Sequence, residues 1–117
     1  MSDFRAIFYQ EIDGTVPMND FLSTLDKKMK AKVLRTIALF ESMGNDLRDP
    51  YSKHLQDGIF ELRIKVSTNI SRVLYFFVID KRAILTHGFV KKTDETPPNE
   101  IARAMKYRSE YKNRKEQ

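Results

Sequence analysis

The residues best suited to chemistry are basic side chains on one face of a predicted β-strand. In residues 59–66, hydrophobic and charged residues alternate, which is the two-residue period of a half-buried strand. Arg63 and Lys65 therefore project from the face opposite the hydrophobic side chains. Because a guanidinium group is a planar, permanent cation that pairs with phosphate oxygens, this face is suited to a ligand that carries phosphate.

Further basic residues lie at the ends of the neighbouring predicted strands. Arg72 opens the next strand, and a hairpin centred near residues 68–69 would bring it close to Lys65. Lys91 and Lys92 end the strand after that, and only one of them can face the cluster because successive strand residues point to opposite faces. The candidate catalytic residues are Arg63, Lys65, Arg72, Lys91 and Lys92. We expect the side chains of Arg63 and Arg72 to be exposed, and the alternative is that both are ordinary surface arginines paired with Glu61 or Asp57.

Phosphodiester cleavage is the chemistry that such a cluster favours. Negative charge builds on the phosphoryl oxygens and on the leaving oxygen, and one cation held in place can contribute roughly 3 kcal/mol of transition-state stabilisation. The sequence has no Walker motif, no H-E-x-x-H motif and no Asp/Glu set suited to a two-metal nuclease. Its two histidines, His54 and His87, would both be needed for a paired-histidine mechanism. We therefore expect chemistry that uses no metal and no other cofactor.

The N-terminal half is predicted to supply the scaffold for this face. Residues 4–9 are aromatic and β-prone, so they predict a first strand. Across residues 17–43 hydrophobic residues recur with helical spacing, and the lysines between them form a polar face. We expect two helices here, with a break near Asp26.

The C-terminal half changes to a strand pattern and then returns to helix. Three consecutive antiparallel strands are predicted at residues 59–66, 72–79 and 83–90. A C-terminal helix is predicted from about residue 98 to near residue 113, with Thr96 as its N-cap. This order predicts an α+β fold in a single domain of residues 1–117. Its mostly antiparallel sheet would carry the N-terminal helices on one face and leave the other face open.

The charge is uneven along the 117 residues. The formal net charge is +5, but residues 1–50 carry −1 and residues 51–117 carry +6. Such an excess favours nucleic acid as the partner class, with an acidic protein second. The absence of cysteine excludes disulfides and thiolate zinc sites. No run approaches the roughly 18 apolar residues of a membrane span, and the N-terminal residues lack a secretory pattern, so we expect a cytoplasmic protein without membrane contact.

Three segments of the C-terminal half form recognisable motifs. Residues 55–63 read L-Q-D-G-I-F-E-L-R, residues 71–77 read S-R-V-L-Y-F-F, and residues 87–97 read H-G-F-V-K-K-T-D-E-T-P. In this order and spacing they resemble motifs of HigB-type toxins, in the phage-derived, host-inhibition-like branch of the RelE/ParE toxin–antitoxin superfamily. The last motif is the most specific, and the resemblance covers about residues 50–111.

The resemblance implies a compact RelE/ParE-like fold and a toxin that cleaves mRNA in the ribosomal A site. Without a metal, the RNA 2′-hydroxyl would attack the adjacent phosphate while basic residues neutralise the developing charge. Arg63 and Lys65 match the basic residues before the hairpin, Arg72 the arginine after it, and Lys91 or Lys92 the basic residue that ends the last strand. The implied partners are the mRNA on the ribosome and a cognate helix-turn-helix antitoxin of the HigA type.

Two further positions match the motifs and are candidates for RNA binding, Tyr75 and His87. Tyr75 alternates with hydrophobic residues, so packing is its default role and stacking on a base is the alternative. His87 lies between Leu85 and Phe89 on what the alternation predicts to be a buried strand face, where a hydrogen-bonded core histidine is at least as common as a functional one.

Two other functions fit the same sequence. A ParE-like toxin would inhibit DNA gyrase and cleave no RNA, but that activity does not require a phosphate-binding sheet. A non-catalytic RNA-binding or ribosome-binding module would use the same basic residues for affinity alone. The cluster of Arg63, Lys65 and Arg72 favours the nuclease over the gyrase inhibitor.

Overall fold

The computed structural model describes residues 4–47, 51–91 and 95–115. Lys92, one of the candidate residues, lies outside these ranges. In the described residues the elements follow in this order: β1 (Arg5–Phe8), α1 (Pro17–Ser23), α2 (Lys27–Met43), a 3₁₀ turn (Gly44–Asp46), β2 (Ser52–Gln56), β3 (Ile59–Val66), β4 (Asn69–Val78), β5 (Arg82–Lys91) and α3 (Pro98–Lys115). The predicted α+β class is confirmed.

The strands form one mixed sheet in the order β1-β5-β4-β3-β2. β1 runs parallel to β5, and the pairs from β2 to β5 are antiparallel. The sequence did not predict β2. It is an edge strand, paired only with β3 in the described sheet, and its sequence S-K-H-L-Q has too few hydrophobic residues to show alternation.

The N-terminal helices cover one face of the sheet, as predicted. The predicted break near Asp26 is the N-cap of α2, where the Asp26 carboxylate accepts a hydrogen bond of 2.8 Å from the Met29 backbone N–H. Hydrophobic residues from both helices pack against β3, β4 and β5 in the larger core, whose members include Met18, Phe40, Leu62 and Leu85. This core fixes which face of β3 points away from the helices.

The opposite face is not fully open, which corrects the sequence prediction. α3 crosses it, and Ala104 and Tyr107 pack with Leu74, Phe76 and Ile84 in a second core. The open part of this face is therefore limited to the strand ends beside the start of α3. No helix in the described part of the chain has the length and hydrophobicity needed to cross a membrane.

Tight turns fix the register of the sheet. Asp57 and Gly58, between β2 and β3, have φ values of 50° and 81°, and Asp80 and Lys81, between β4 and β5, have values of 64° and 54°. Two successive residues with positive φ are typical of the type I′ hairpin turn, whose twist matches that of the strands. These turns therefore help to set the register of β2 with β3 and of β4 with β5.

Candidate nucleic-acid interface

The strand registers bring four of the predicted basic residues onto one face, at adjacent strand ends. Arg63 on β3 pairs directly with Arg72 on β4. In the next row, Lys65 and Lys91 both pair with Ile70, one on each side of it. Because neighbouring strands lie about 4.8 Å apart, the Cα atoms of these two lysines are roughly 10 Å apart.

The hairpin that joins β3 to β4 differs by one residue from the prediction. The sequence predicted a centre near residues 68–69, but Val66 pairs with Asn69, so the turn lies one residue earlier. The shift makes Arg63, and not Lys65, the cross-strand partner of Arg72. The two guanidinium groups therefore belong to one row of the sheet.

The four basic side chains differ in exposure. Arg63 is 23% exposed, and Lys65 and Lys91 are exposed. Arg72 is 0% exposed, so the prediction that both arginines would be solvent-exposed is wrong for Arg72. Its guanidinium Nη1 donates to the Thr96 hydroxyl, which lies just before α3 on top of the sheet.

A buried glutamate connects the two arginines. Arg72 Nη1 donates to Thr96 Oγ1 over 3.1 Å, and Thr96 Oγ1 donates to Glu61 Oε1 over 2.5 Å. The other carboxylate oxygen, Glu61 Oε2, lies 3.7 Å from Arg63 Nε. Glu61 is 1% exposed, and a carboxylate buried among cations lowers the cost of holding those cations in place. One carboxylate thus positions Arg63 directly and Arg72 through Thr96.

Sequence reasoning considered Glu61 only as the ion-pair partner of a surface arginine, and it placed neither Glu61 nor Thr96 in this site. The signal for Glu61 was present, because it shares the alternating face of β3 with Arg63 and Lys65. Thr96 was predicted to cap α3, but the helix begins at Pro98 and the hydroxyl donates to Glu61 instead. The contact between the start of α3 and β3 spans 35 residues of sequence, which local patterns do not reveal.

An open groove runs along this network, between β2 and the start of α3. It has a volume of about 540 Å³. Its lining residues are Lys53, His54, Leu55, Glu61, Arg63, Glu95, Thr96 and Ile101. A polyanion that entered this groove would reach the partly exposed guanidinium of Arg63.

Tyr75, predicted as an RNA-binding candidate, lies in the core beneath α2. Its side chain is 1% exposed, and its ring contacts Phe40 and Phe60 at centroid distances of 4.9 and 5.4 Å. Its hydroxyl lies 2.5 Å from the Ser52 hydroxyl, and burial raises its pKa. This placement favours the packing role that the alternation pattern predicted by default.

His87, the second RNA-binding candidate, is buried beneath α3. Its Nε2 atom lies 3.1 Å from Glu100 Oε1, and its Nδ1 atom lies 3.1 Å from the Thr86 hydroxyl. Burial, together with the positive charge of Arg103, lowers the pKa of His87 to about 3. The imidazole is therefore neutral at pH 7 and donates its Nε2 hydrogen to Glu100, which favours the structural role over RNA contact.

The described residues contain no group of three or more His, Cys, Asp or Glu side chains arranged to hold a metal ion. The charged residues that line the groove are the cations Lys53 and Arg63 and the carboxylates Glu61 and Glu95, and Glu61 is paired with Arg63. The basic side chains of this sheet face are of the kind that pairs with phosphate oxygens.

Fold and site together define a small α+β protein with a basic, partly covered sheet face suited to a polyanion. The chain belongs to the family described as Phage derived protein Gp49-like (DUF891), whose family model matches residues 20–109. A search of curated proteins found no match. The family is of the RelE-like toxin type, so membership is consistent with the toxin of a toxin–antitoxin system and suggests RNase activity. Toxins of this kind typically pair with an antitoxin.

Proposed function

We propose that the protein is a ribosome-dependent, HigB-like endoribonuclease that cleaves mRNA in the A site and is neutralised by a helix-turn-helix antitoxin of the HigA type. The observation that carries this proposal is the Arg63–Arg72 pair, which a single buried carboxylate holds at an open groove. Cations that are fixed before the substrate arrives need no reorganisation when charge develops on a phosphate.

The proposed reaction is an internal phosphoryl transfer that needs no water. The RNA 2′-hydroxyl loses its proton as its oxygen bonds to the adjacent phosphorus, and the bond from phosphorus to the 5′-oxygen breaks. The departing 5′-oxygen gains a proton. The products are a 2′,3′-cyclic phosphate and a 5′-hydroxyl end.

The proposed roles of the four basic residues differ because their side chains differ in exposure. Arg63, which lines the groove, contacts the phosphoryl oxygens of the cleaved linkage. Arg72 adds a fixed positive charge from beneath the same row. Lys65 and Lys91, exposed in the next row, bind neighbouring phosphates of the same strand and supply salt-dependent affinity.

Mapping of mRNA 5′ ends after induction in bacterial cells tests this proposal, with wild type compared to Arg63→Ala. Wild type should generate new 5′ ends that keep a fixed phase relative to codons. Loss of one fixed cation should reduce their yield about 100-fold. Arg35→Ala is the matched control, because Arg35 is an exposed arginine on α2, outside the groove, and its loss should leave the yield unchanged.

The same experiment separates the other candidate functions. Induction that damages DNA without new mRNA ends would establish gyrase inhibition. Ribosome association with neither effect would establish a non-catalytic binding module. Codon-phased cleavage that is as strong in Arg63→Ala as in wild type would refute the proposed role of the arginine pair.

A further inference from the structure

Tyr51 is an exposed aromatic residue next to the arginine pair. Its carbonyl oxygen accepts a hydrogen bond of 2.8 Å from the Arg63 backbone N–H. This bond extends the β2–β3 register by one residue beyond the Ser52–Leu62 pair, so Tyr51 lies opposite Arg63. Residues directly opposite in antiparallel strands share a face, with Cβ atoms about 5 Å apart.

The exposure of Tyr51 is unusual for the aromatic residues of this protein. Tyr51 is 48% exposed, whereas Tyr9, Tyr75 and Tyr107 are buried in the two cores. The packing explanation that accounts for Tyr75 therefore does not account for Tyr51. Surfaces that bind unpaired bases combine exposed aromatic rings with nearby cations, and a half-exposed tyrosine beside Arg63 fits that description.

A second groove adjoins the first at Arg63. It has a volume of about 330 Å³ and is lined by Lys32, Thr36, Tyr51, Arg63, Ile64, Lys65 and Ile70. Lys32 and Lys65 are exposed, so the groove combines an aromatic ring with two cations that a phosphate chain can reach. The second groove includes residues of α2 and the first lies beside the start of α3, so a strand bound at Arg63 would pass around the edge of β3, next to the start of β2, to occupy both.

We propose that Tyr51 is a base-stacking platform for single-stranded RNA, which holds the base of a nucleotide adjacent to the phosphate bound by Arg63. The proposal rests on the proposed nuclease function and deepens it by naming a subsite for the substrate. Stacking on an aromatic ring tolerates every base, since each base has a π face. Lys32 and Lys65 then neutralise the phosphates that flank this nucleotide.

The test is fluorescence anisotropy with a labelled RNA hexamer and with the same hexamer lacking its bases. Tyr51→Ala should weaken binding of the normal hexamer about tenfold, and Tyr51→Phe and Tyr51→Trp should keep it within about twofold of wild type. Binding of the abasic hexamer should be the same for wild type and Tyr51→Ala, because only phosphate contacts remain. Ile79→Ala, which removes an exposed apolar side chain in the turn just after β4, is the matched control.

The outcomes separate this inference from the nuclease proposal. Equal affinity of wild type and Tyr51→Ala for the normal hexamer would overturn the stacking role. Equal affinity of wild type for the normal and the abasic hexamer would overturn it as well. A loss in Tyr51→Phe as large as in Tyr51→Ala would also overturn it, because the hydroxyl and not the ring would then be responsible. RNA cleavage is scored in a separate assay, so a wild type that binds in a base-dependent way but never cleaves would refute the nuclease alone.

Discussion

Replacing Thr96 by valine removes the hydroxyl that joins the two arginines, while the shape of the side chain is almost unchanged. The hydroxyl makes two hydrogen bonds to charged groups, one accepted from Arg72 and one donated to Glu61. Both of those side chains are essentially inaccessible to water, at 0% and 1% exposure. The variant therefore breaks two charge-assisted bonds whose charged partners are buried, although Thr96 itself is only partly buried and faces the groove.

The expected destabilisation follows from these two bonds. A hydrogen bond to a charged group contributes about 1.5–3 kcal/mol, and the two bonds share one hydroxyl, so we expect Thr96→Val to lower the free energy of unfolding by about 3 kcal/mol. For a chain of 117 residues, 1 kcal/mol corresponds to a change in Tm of about 4 °C. The predicted decrease in Tm is therefore about 12 °C.

Urea and thermal denaturation of matched variants measure this effect. Thr96→Ser keeps the hydroxyl and should lose no more than about 1 kcal/mol, and Thr68→Val, in the exposed β3–β4 turn, should stay within about 0.5 kcal/mol of wild type. Thr96→Val that melts within 2 °C of wild type would refute the proposed coupling of the arginines. A Thr96→Ser variant as unstable as Thr96→Val would also contradict it, since the methyl group would then be the stabilising part.

Two further predictions concern β5. A Cβ atom at Gly88 would lie 2.4 Å from the ring of Phe21, so Gly88→Ala should lower the free energy of unfolding by about 1–3 kcal/mol in urea denaturation, and an unchanged midpoint would contradict the close packing of α1 on β5. The folded-state pKa of His87, about 3, lies below its ordinary value of 6.5, so the unfolded chain binds a proton that the folded chain excludes. The contribution of His87 to the free energy of unfolding is complete above pH 6.5 and is lost as the pH falls from 6.5 towards 3, by about 1.4 kcal/mol per pH unit. The free energy of unfolding of His87→Asn should therefore fall less steeply between pH 6 and pH 4 than that of wild type. Equal slopes would contradict the burial of a neutral imidazole beside Glu100 and Arg103.

Sequence reasoning predicted most of the elements because their patterns are local. The alternation in β3, the helical spacing through α1 and α2, and the break at Asp26 all correspond to observed elements. The edge strand β2 was missed because it buries little and alternates weakly. The parallel pairing of β1 with β5 joins distant parts of the chain, and no local pattern encodes it.

The candidate site was predicted only in part, because the direction and burial of a side chain also depend on bulges and on the packing of distant segments, which alternation does not show. Arg63, Lys65 and Lys91 lie on the predicted face, but the burial of Arg72 depends on how the segment before α3 packs on the sheet, which the sequence does not show. A bulge at Thr86 shifts the alternation of β5 by one residue. As a result, Leu85 packs beneath the N-terminal helices while His87 and Phe89 face α3, although the sequence placed all three on one face.

The most direct measurement of the central claim is the rate at which the purified protein cuts an mRNA held on ribosomes in a reconstituted translation system. Wild type should cut within the A-site codon and leave a 2′,3′-cyclic phosphate, and Arg63→Ala should cut about 100-fold more slowly at the same ribosome occupancy. Equal rates for the two proteins, or an mRNA that stays intact with wild type bound, would contradict the claim that the paired arginines stabilise a cleaving phosphate.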